Sequence, residues 1–166
     1  MAIARVWVAA WHAAYTGLMP AEYLAALDAQ AALPALLVAL RSNPTVLVLE
    51  LGAEIVGFSV YNASRDSGAG PDTGEVIAIN LHPSCWRRGL GRALLQQTLQ
   101  RLSARGFSRA TLWVLHGNAN ARRFYEALGW RCDDVEKQDE RLTGFALHEV
   151  QYRFALWGLD TAVADR

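Results

Sequence analysis

Two hydrophobic periods alternate along this chain of 166 residues. Residues 2–16 carry Val6, Ala9/Ala10 and Ala13/Ala14 at helical spacing, and Gly17 and Pro20 end that helix. A broken helical stretch follows over about 20–41, interrupted near Pro34, and Asn43-Pro44 marks a turn. Thr45–Leu51 (TVLVLEL) is β-branched and apolar and predicts a strand. Gly52-Ala53-Glu54 gives a tight turn, and Ile55–Tyr61 (IVGFSVY) the return strand of a hairpin. Asn62–Thr73 reads as loop, and Glu75–Leu81 (EVIAINL) as a third strand stopped by Pro83.

The period then changes. Arg87–Arg105 spaces Leu90, Leu94, Leu95, Leu99 and Leu102 along one helical face, with Gly106 as the natural cap. Ala110–Leu115 is a strand. Asn118–Leu128 is a helix with Ala121, Phe124, Tyr125 and Leu128 inward, closed by Gly129. Trp130 onward and Glu149–Leu156 read as two closing strands, joined by an acidic stretch at 133–140 that reads as a solvated hairpin loop. Helices, three strands, helix, strand, helix, two strands predict an α/β class with a mixed sheet, in one domain over 1–166.

Composition fits that picture. The chain is 52% apolar and 19% charged, which suits a packed core. Lys+Arg and Asp+Glu balance at 16 each, so net charge points to neither nucleic acid nor membrane. The run Val6–Ala21 faintly resembles a signal sequence, but His12, Tyr15, Thr16, Gly17 and Pro20 interrupt it. Cys85 and Cys132 form no metal spacing and no disulfide framework, so a cytoplasmic, reducing setting without a metal is expected.

Charge distribution is more informative. From Trp86 to Arg131 there are nine arginines and one acid, Glu126, giving 9 − 1 = +8. Arg87-Arg88-Gly89-Leu90-Gly91-Arg92-Ala93 lies between a strand and a helix. Glycines at i and i+2 allow close approach to the backbone, and a helix start offers unpaired N–H groups to an anion. Arginines in a first turn oppose the macrodipole by roughly 0.3–1 kcal/mol each. Arg122 and Arg123, after Asn118, repeat the pattern at the next helix. Two such starts predict two anionic groups, as in a ligand with a pyrophosphate and a separate phosphate. The lysine of a P-loop is absent, and Leu94 stands where the dinucleotide fingerprint needs its third glycine.

His82-Pro83-x-x-Trp86-Arg87-Arg88-Gly89-Leu90-Gly91-Arg92-Ala93-Leu94-Leu95 resembles the acyl-CoA loop of the GNAT superfamily of N-acetyltransferases. Asn118-x-x-Ala121-x-x-Phe124-Tyr125-x-x-x-Gly129-Trp130 resembles the same family's second motif. Trp11-x-x-x-Tyr15-x-Gly17-x-x-Pro20 is similar to a pattern in some members. The resemblance implies a mixed, mostly antiparallel sheet flanked by helices, here lacking the family's usual first strand. Either the start is truncated or that sheet edge is covered differently, for example in a homodimer. It further implies acetyl-CoA as co-substrate, held by the backbone of Arg87, Arg88, Gly89, Leu90, Gly91, Arg92 and Ala93. Leu81, His82 and Pro83 would meet the pantetheine arm, one N–H there polarising the thioester carbonyl. Asn118 and Arg122 would contact the cofactor, and Tyr125 would protonate the departing thiolate. Two residues depart from the pattern: Trp86 replaces a usual Gln or Arg, and Trp130 a commoner Phe.

The acceptor is expected to be a small-molecule or protein amine. Glu75 stands where some members carry a catalytic glutamate, and His82 and His116 end adjacent strands as alternative bases. Trp11, Tyr15 and Met19 are candidate acceptor-pocket residues, and equally candidates for core. The competing reading is a non-catalytic acyl-CoA-binding module or sensor. A nucleic-acid binder is disfavoured because the arginines cluster at helix starts rather than along one helix face.

Overall fold

A computed structural model of the chain describes residues 1–34, 45–140 and 143–157. The chain opens on helix α1 (Ala2–Tyr15) and the short α2 (Ala21–Ala25). Strands β1 (Val46–Leu51), β2 (Glu54–Ala63) and β3 (Thr73–Leu81) follow, then a 3-10 turn at Pro83–Cys85 and helix α3 (Leu90–Ala104). Strand β4 (Arg109–Leu115), helix α4 (Ala119–Glu126), β5 (Arg131–Asp139) and β6 (Leu147–Ala155) complete it. The six strands form one sheet in the order β1-β2-β3-β4-β6-β5. β1–β2, β4–β6 and β5–β6 pair antiparallel, and β3–β4 parallel. This is the α/β class with a mixed sheet that the chain pattern predicts, with the mostly antiparallel pairing that the resemblance implies. Part of the expected helical stretch 20–41, and the turn at Asn43-Pro44, lie outside the described residues.

Packing divides the chain into two compact units, Met1–Tyr61 with Ala78–Thr98, and Asn62–Ile77 with Leu99–Arg166. In the first, α1 buries Ala4, Val6, Ala10 and Trp11 and lies against the Pro83–Cys85 turn. Ala13, expected inward, is exposed, because the buried stripe turns through Trp11 instead. Gly57 is required here: a Cβ would stand 2.7 Å from Leu81 Cδ1 and 3.5 Å from Leu94 Cδ2. A bare backbone on β2 therefore lets the apolar face of α3 close down.

In the second unit, β3 and β4 share three parallel pairs, Thr73–Arg109, Gly74–Ala110 and Glu75–Thr111. That pairing starts β3 two residues before the expected Glu75. Gly74 has the same steric role as Gly57, its virtual Cβ 2.7 Å from Leu102. The stretch 133–140, read as a hairpin loop, is mostly strand β5. Its charges are matched by those of β6: Asp133 with Arg153, Glu136 with His148 at 2.8 Å, and Lys137 with Glu149 at 3.4 Å. Opposite charges facing across strands support the ladder where composition alone suggests solvent. A register shift between Cys132 and Glu136 accommodates Asp134 at φ 52°.

Candidate functional site

The first unit carries the glycine-arginine loop. Helix α3 begins at Leu90, later than the expected Arg87, because Arg87 and Gly89 both have positive φ, 57° and 78°. A non-glycine residue in the left-handed region is uncommon and is held only by its surroundings. Alternating backbone twist of this kind turns N–H groups toward one side and builds an anion concavity. The first bond of the helix is Ala93 N–H to Gly89 O at 3.1 Å. Among the described residues, no protein acceptor is given for the N–H groups of Arg87, Arg88, Gly89, Leu90, Gly91 or Arg92. No acid stands in the first turn, and no ion pair among the described residues involves Arg87, Arg88 or Arg92. Arg92 in that turn opposes the macrodipole by roughly 0.3–1 kcal/mol, and Arg87 and Arg88 just before it add cationic charge. A Cβ on Gly89 would meet nothing within 4 Å, so the loop is open to a ligand.

Just upstream, the backbone of Leu81, His82 and Pro83 is partly committed. His82 N–H donates to Val56 O at 2.8 Å. Proline has no N–H. Leu81 O accepts from the indole Nε1 of Trp86 at 2.7 Å. With His82 N–H engaged and Pro83 without one, Leu81 N–H is the candidate donor of the three for a ligand. Trp86 thus caps the strand end, a contact that no local pattern foretells. His82 is locked locally, its Nδ1 2.7 Å from Ser84 Oγ. In α1, Trp11 packs against Trp7 and Tyr15, with centroids 4.8 and 5.0 Å apart. Trp11 and Met19 are 8% exposed, so these two candidates belong chiefly to the core.

The second unit holds Asn118, Arg122, Tyr125 and Glu75. Asn118 is the N-cap of α4, its side chain accepting from Ala121 N–H at 3.1 Å. Tyr125 is buried among Phe124, Trp130 and Tyr152, with ring centroids at 5.2, 5.9 and 6.2 Å. Arg122 and Arg123 are hydrogen-bonded to neutral groups, and no ion pair among the described residues involves either. Arg122 Nε donates to Tyr152 Oη at 3.0 Å and its Nη1 to His116 O at 3.4 Å, while Arg123 donates to Asn120 Oδ1 at 2.7 Å. Tyr152 Oη in turn donates to Glu126 Oε1 at 2.6 Å. Burial pushes the Tyr152 phenol above its usual range, and the bond to Glu126 acts the same way, so the hydroxyl keeps its proton. The Tyr152 bond raises Arg122 further above its ordinary value.

Glu75 is 1% exposed, buried within its strand. Arg65 engages both carboxylate oxygens: N–H and Nε to Oε2 at 3.0 Å each, and Nη2 to Oε1 at 2.6 Å. Burying a lone carboxylate costs several kcal/mol, so these charge-assisted bonds are what make the position tenable. Two further groupings carry no local sequence signal, since their members are far apart in the chain. Asp66 accepts from Trp113 Nε1 at 3.1 Å and Gln151 Nε2 at 2.8 Å. The rings of His116 and His148 stack at 4.7 Å. Among the described residues no cluster could hold a metal ion, and no helix is long and apolar enough to cross a membrane.

A mixed six-stranded sheet flanked by helices defines the α/β class of this protein. The chain belongs to the acetyltransferase (GNAT) family, whose model matches residues 4–130. A mycothiol acetyltransferase of Beutenbergia cavernae is 45% identical over 66 residues, 40% of this chain and 22% of that protein. Similar relatives reach 33% of their own length, so the chain spans about a quarter to a third of the curated proteins it matches. Among solved structures, the PaiA N-acetyltransferase of Thermoplasma acidophilum in complex with coenzyme A gives a TM-score of 0.68. It is 18% identical, with 92% of this chain and 89% of that one covered. The ribosomal-protein-S18-alanine N-acetyltransferase of Escherichia coli gives 0.58 at 23% identity, covering 72% and 76%.

Proposed function

We propose that this protein transfers an acetyl group from acetyl-CoA to an amine acceptor by direct attack. The observation that carries this reading is the run of six main-chain N–H groups at Arg87–Arg92 without acceptors, ringed by three uncompensated arginines. A pyrophosphate supplies the missing acceptors and the missing charge together. Ala93, whose N–H closes the helix, ends the cradle. Asn118 adds a cofactor contact through the amide face that its capping bond leaves over. Arg122, occupied by Tyr152, contributes to the cofactor through position more than through free charge.

The thioester carbonyl takes its hydrogen bond from Leu81 N–H, the amide that His82 and Pro83 leave as the donor. The amine nitrogen attacks the carbonyl carbon, a C–N bond forms and the C–S bond breaks, and the proton the nitrogen loses passes to solvent, which in turn restores the Tyr125 phenol. Tyr125, a phenol with an ordinary pKa of about 10, protonates the leaving thiolate. Glu75 is assigned a changed part: saturated by Arg65, it clamps the segment after β2 to β3, and a share in removing the amine proton is tested below. Tyr15, half-buried on α1, is the best of the three pocket candidates for touching the acceptor. Free thiols at Cys85 and Cys132 suit a cytoplasmic setting.

The test is a thermal-shift series with acetyl-CoA, CoA and longer acyl-CoAs, followed by thiol release against small amines and peptides with free N-termini. Stabilisation by CoA together with acceptor-dependent thiol release is expected. Tight binding with no thiol release for any acceptor would turn the reading into that of a sensor module.

A further inference from the structure

We propose that Tyr152 is a positioning residue for Tyr125, acting through a two-point clamp on helix α4. This rests on the reading of Tyr125 as the proton donor. Helix α4 has eight residues, short of the roughly 12–15 at which an isolated helix becomes marginally stable. Its orientation must therefore come from tertiary ties. Arg122 and Glu126, one turn apart on one face, both bind the same atom, Tyr152 Oη, at 3.0 and 2.6 Å. Tyr125 lies beside that face, its ring 6.2 Å from the Tyr152 ring.

Tyr152 itself is fixed. It is 0% exposed and sits in the middle of β6, in register with Leu112 on β4 and Cys132 on β5. Its hydroxyl accepts from a guanidinium and donates to a carboxylate, so both of its functions are used. Without that oxygen, Arg122 and Glu126 could still pair with each other along the helix. The helix would survive, but its tie to the sheet would be lost. A displacement on the order of 1 Å at a reacting group can cost about 100-fold in rate.

The experiment is a double-mutant cycle on kcat, with acetyl-CoA Kd measured in parallel. Tyr125→Phe is expected to lower kcat strongly. Tyr152→Phe is expected to lower kcat about tenfold or more, with Kd changed by a clearly smaller factor, and to add no further loss in the Tyr125→Phe background. Glu126→Gln, which keeps an acceptor for the hydroxyl, should retain most of kcat, and Glu126→Leu should match Tyr152→Phe. If Tyr152→Phe folds poorly, Glu126→Leu on the exposed side of the clamp carries the cycle. Wild-type kcat in the clamp variants, a parallel loss of Kd, or independent losses in the double mutant overturns the proposal. Wild-type kcat in Tyr125→Phe alone removes the underlying acid assignment and is recognised separately.

Discussion

The indole nitrogen of Trp86 donates to the carbonyl of Leu81 across 2.7 Å. The residue that departs most from the family pattern thus stays within the motif and fixes the strand end at Leu81. Replacing it with phenylalanine keeps an aromatic ring and removes the donor. Trp86→Phe is expected to raise the KM for acetyl-CoA about fivefold, the equivalent of one hydrogen bond near 1 kcal/mol. Trp86 is 38% exposed, so the melting temperature should hardly move. An unchanged KM would mean that the Leu81–Trp86 bond does not shape the site.

Gly89 combines φ 78° with open space around a would-be Cβ. Valine there would be strained by about 1–2 kcal/mol and would place methyls where the phosphates are expected. Gly89→Val should remain folded by circular dichroism yet lose its thermal shift with CoA. A retained CoA shift would contradict the cradle.

Glu75→Gln tests the clamp against the base. Loss of the charged pair with Arg65 should destabilise the fold by about 1–3 kcal/mol in denaturant titration, with kcat of the folded fraction reduced less than about tenfold. A fall of about 100-fold to 10,000-fold, typical of a lost general base, at unchanged stability would return Glu75 to proton abstraction.

Trp130 is 2% exposed and its Nε1 has no hydrogen-bond partner. An unsatisfied buried donor costs about 1–3 kcal/mol, which offsets much of the area lost when the indole shrinks. Trp130→Phe should therefore change unfolding free energy by less than about 1 kcal/mol, measured by urea titration. A loss above about 3 kcal/mol would show that indole packing outweighs the orphan donor.

Asp72 is held below the usual carboxylate range chiefly by a hydrogen bond from Ser108 Oγ; desolvation opposes this next, and the Arg109 guanidinium adds to the lowering. A lowered folded pKa means that its contribution is complete above the ordinary Asp value of about 3.9. That contribution disappears as pH falls through the folded value. Ser108→Ala should raise the Asp72 pKa in an NMR titration and flatten the acid limb of the stability curve. An unmoved titration would assign the effect to Arg109.

Local chemistry made much of this protein legible. The 3.6 period of Leu90, Leu94, Leu95, Leu99 and Leu102, the β-branched runs at 45–51 and 75–81, and the glycines beside arginines each carry their cause within a few residues. They yielded the helices, the strands and the mixed sheet class. What was misread depended on partners distant in sequence. The acidic stretch at 133–140 becomes a strand because β6 supplies opposite charges. Arg122 is engaged because Tyr152, thirty residues on, accepts its hydrogen bond. Glu75 is buried because Arg65 pays its desolvation. Periodicity and end-of-helix electrostatics are properties of the chain itself. The protonation, burial and direction of a single side chain depend on what the fold brings against it, and only the tertiary structure decides that.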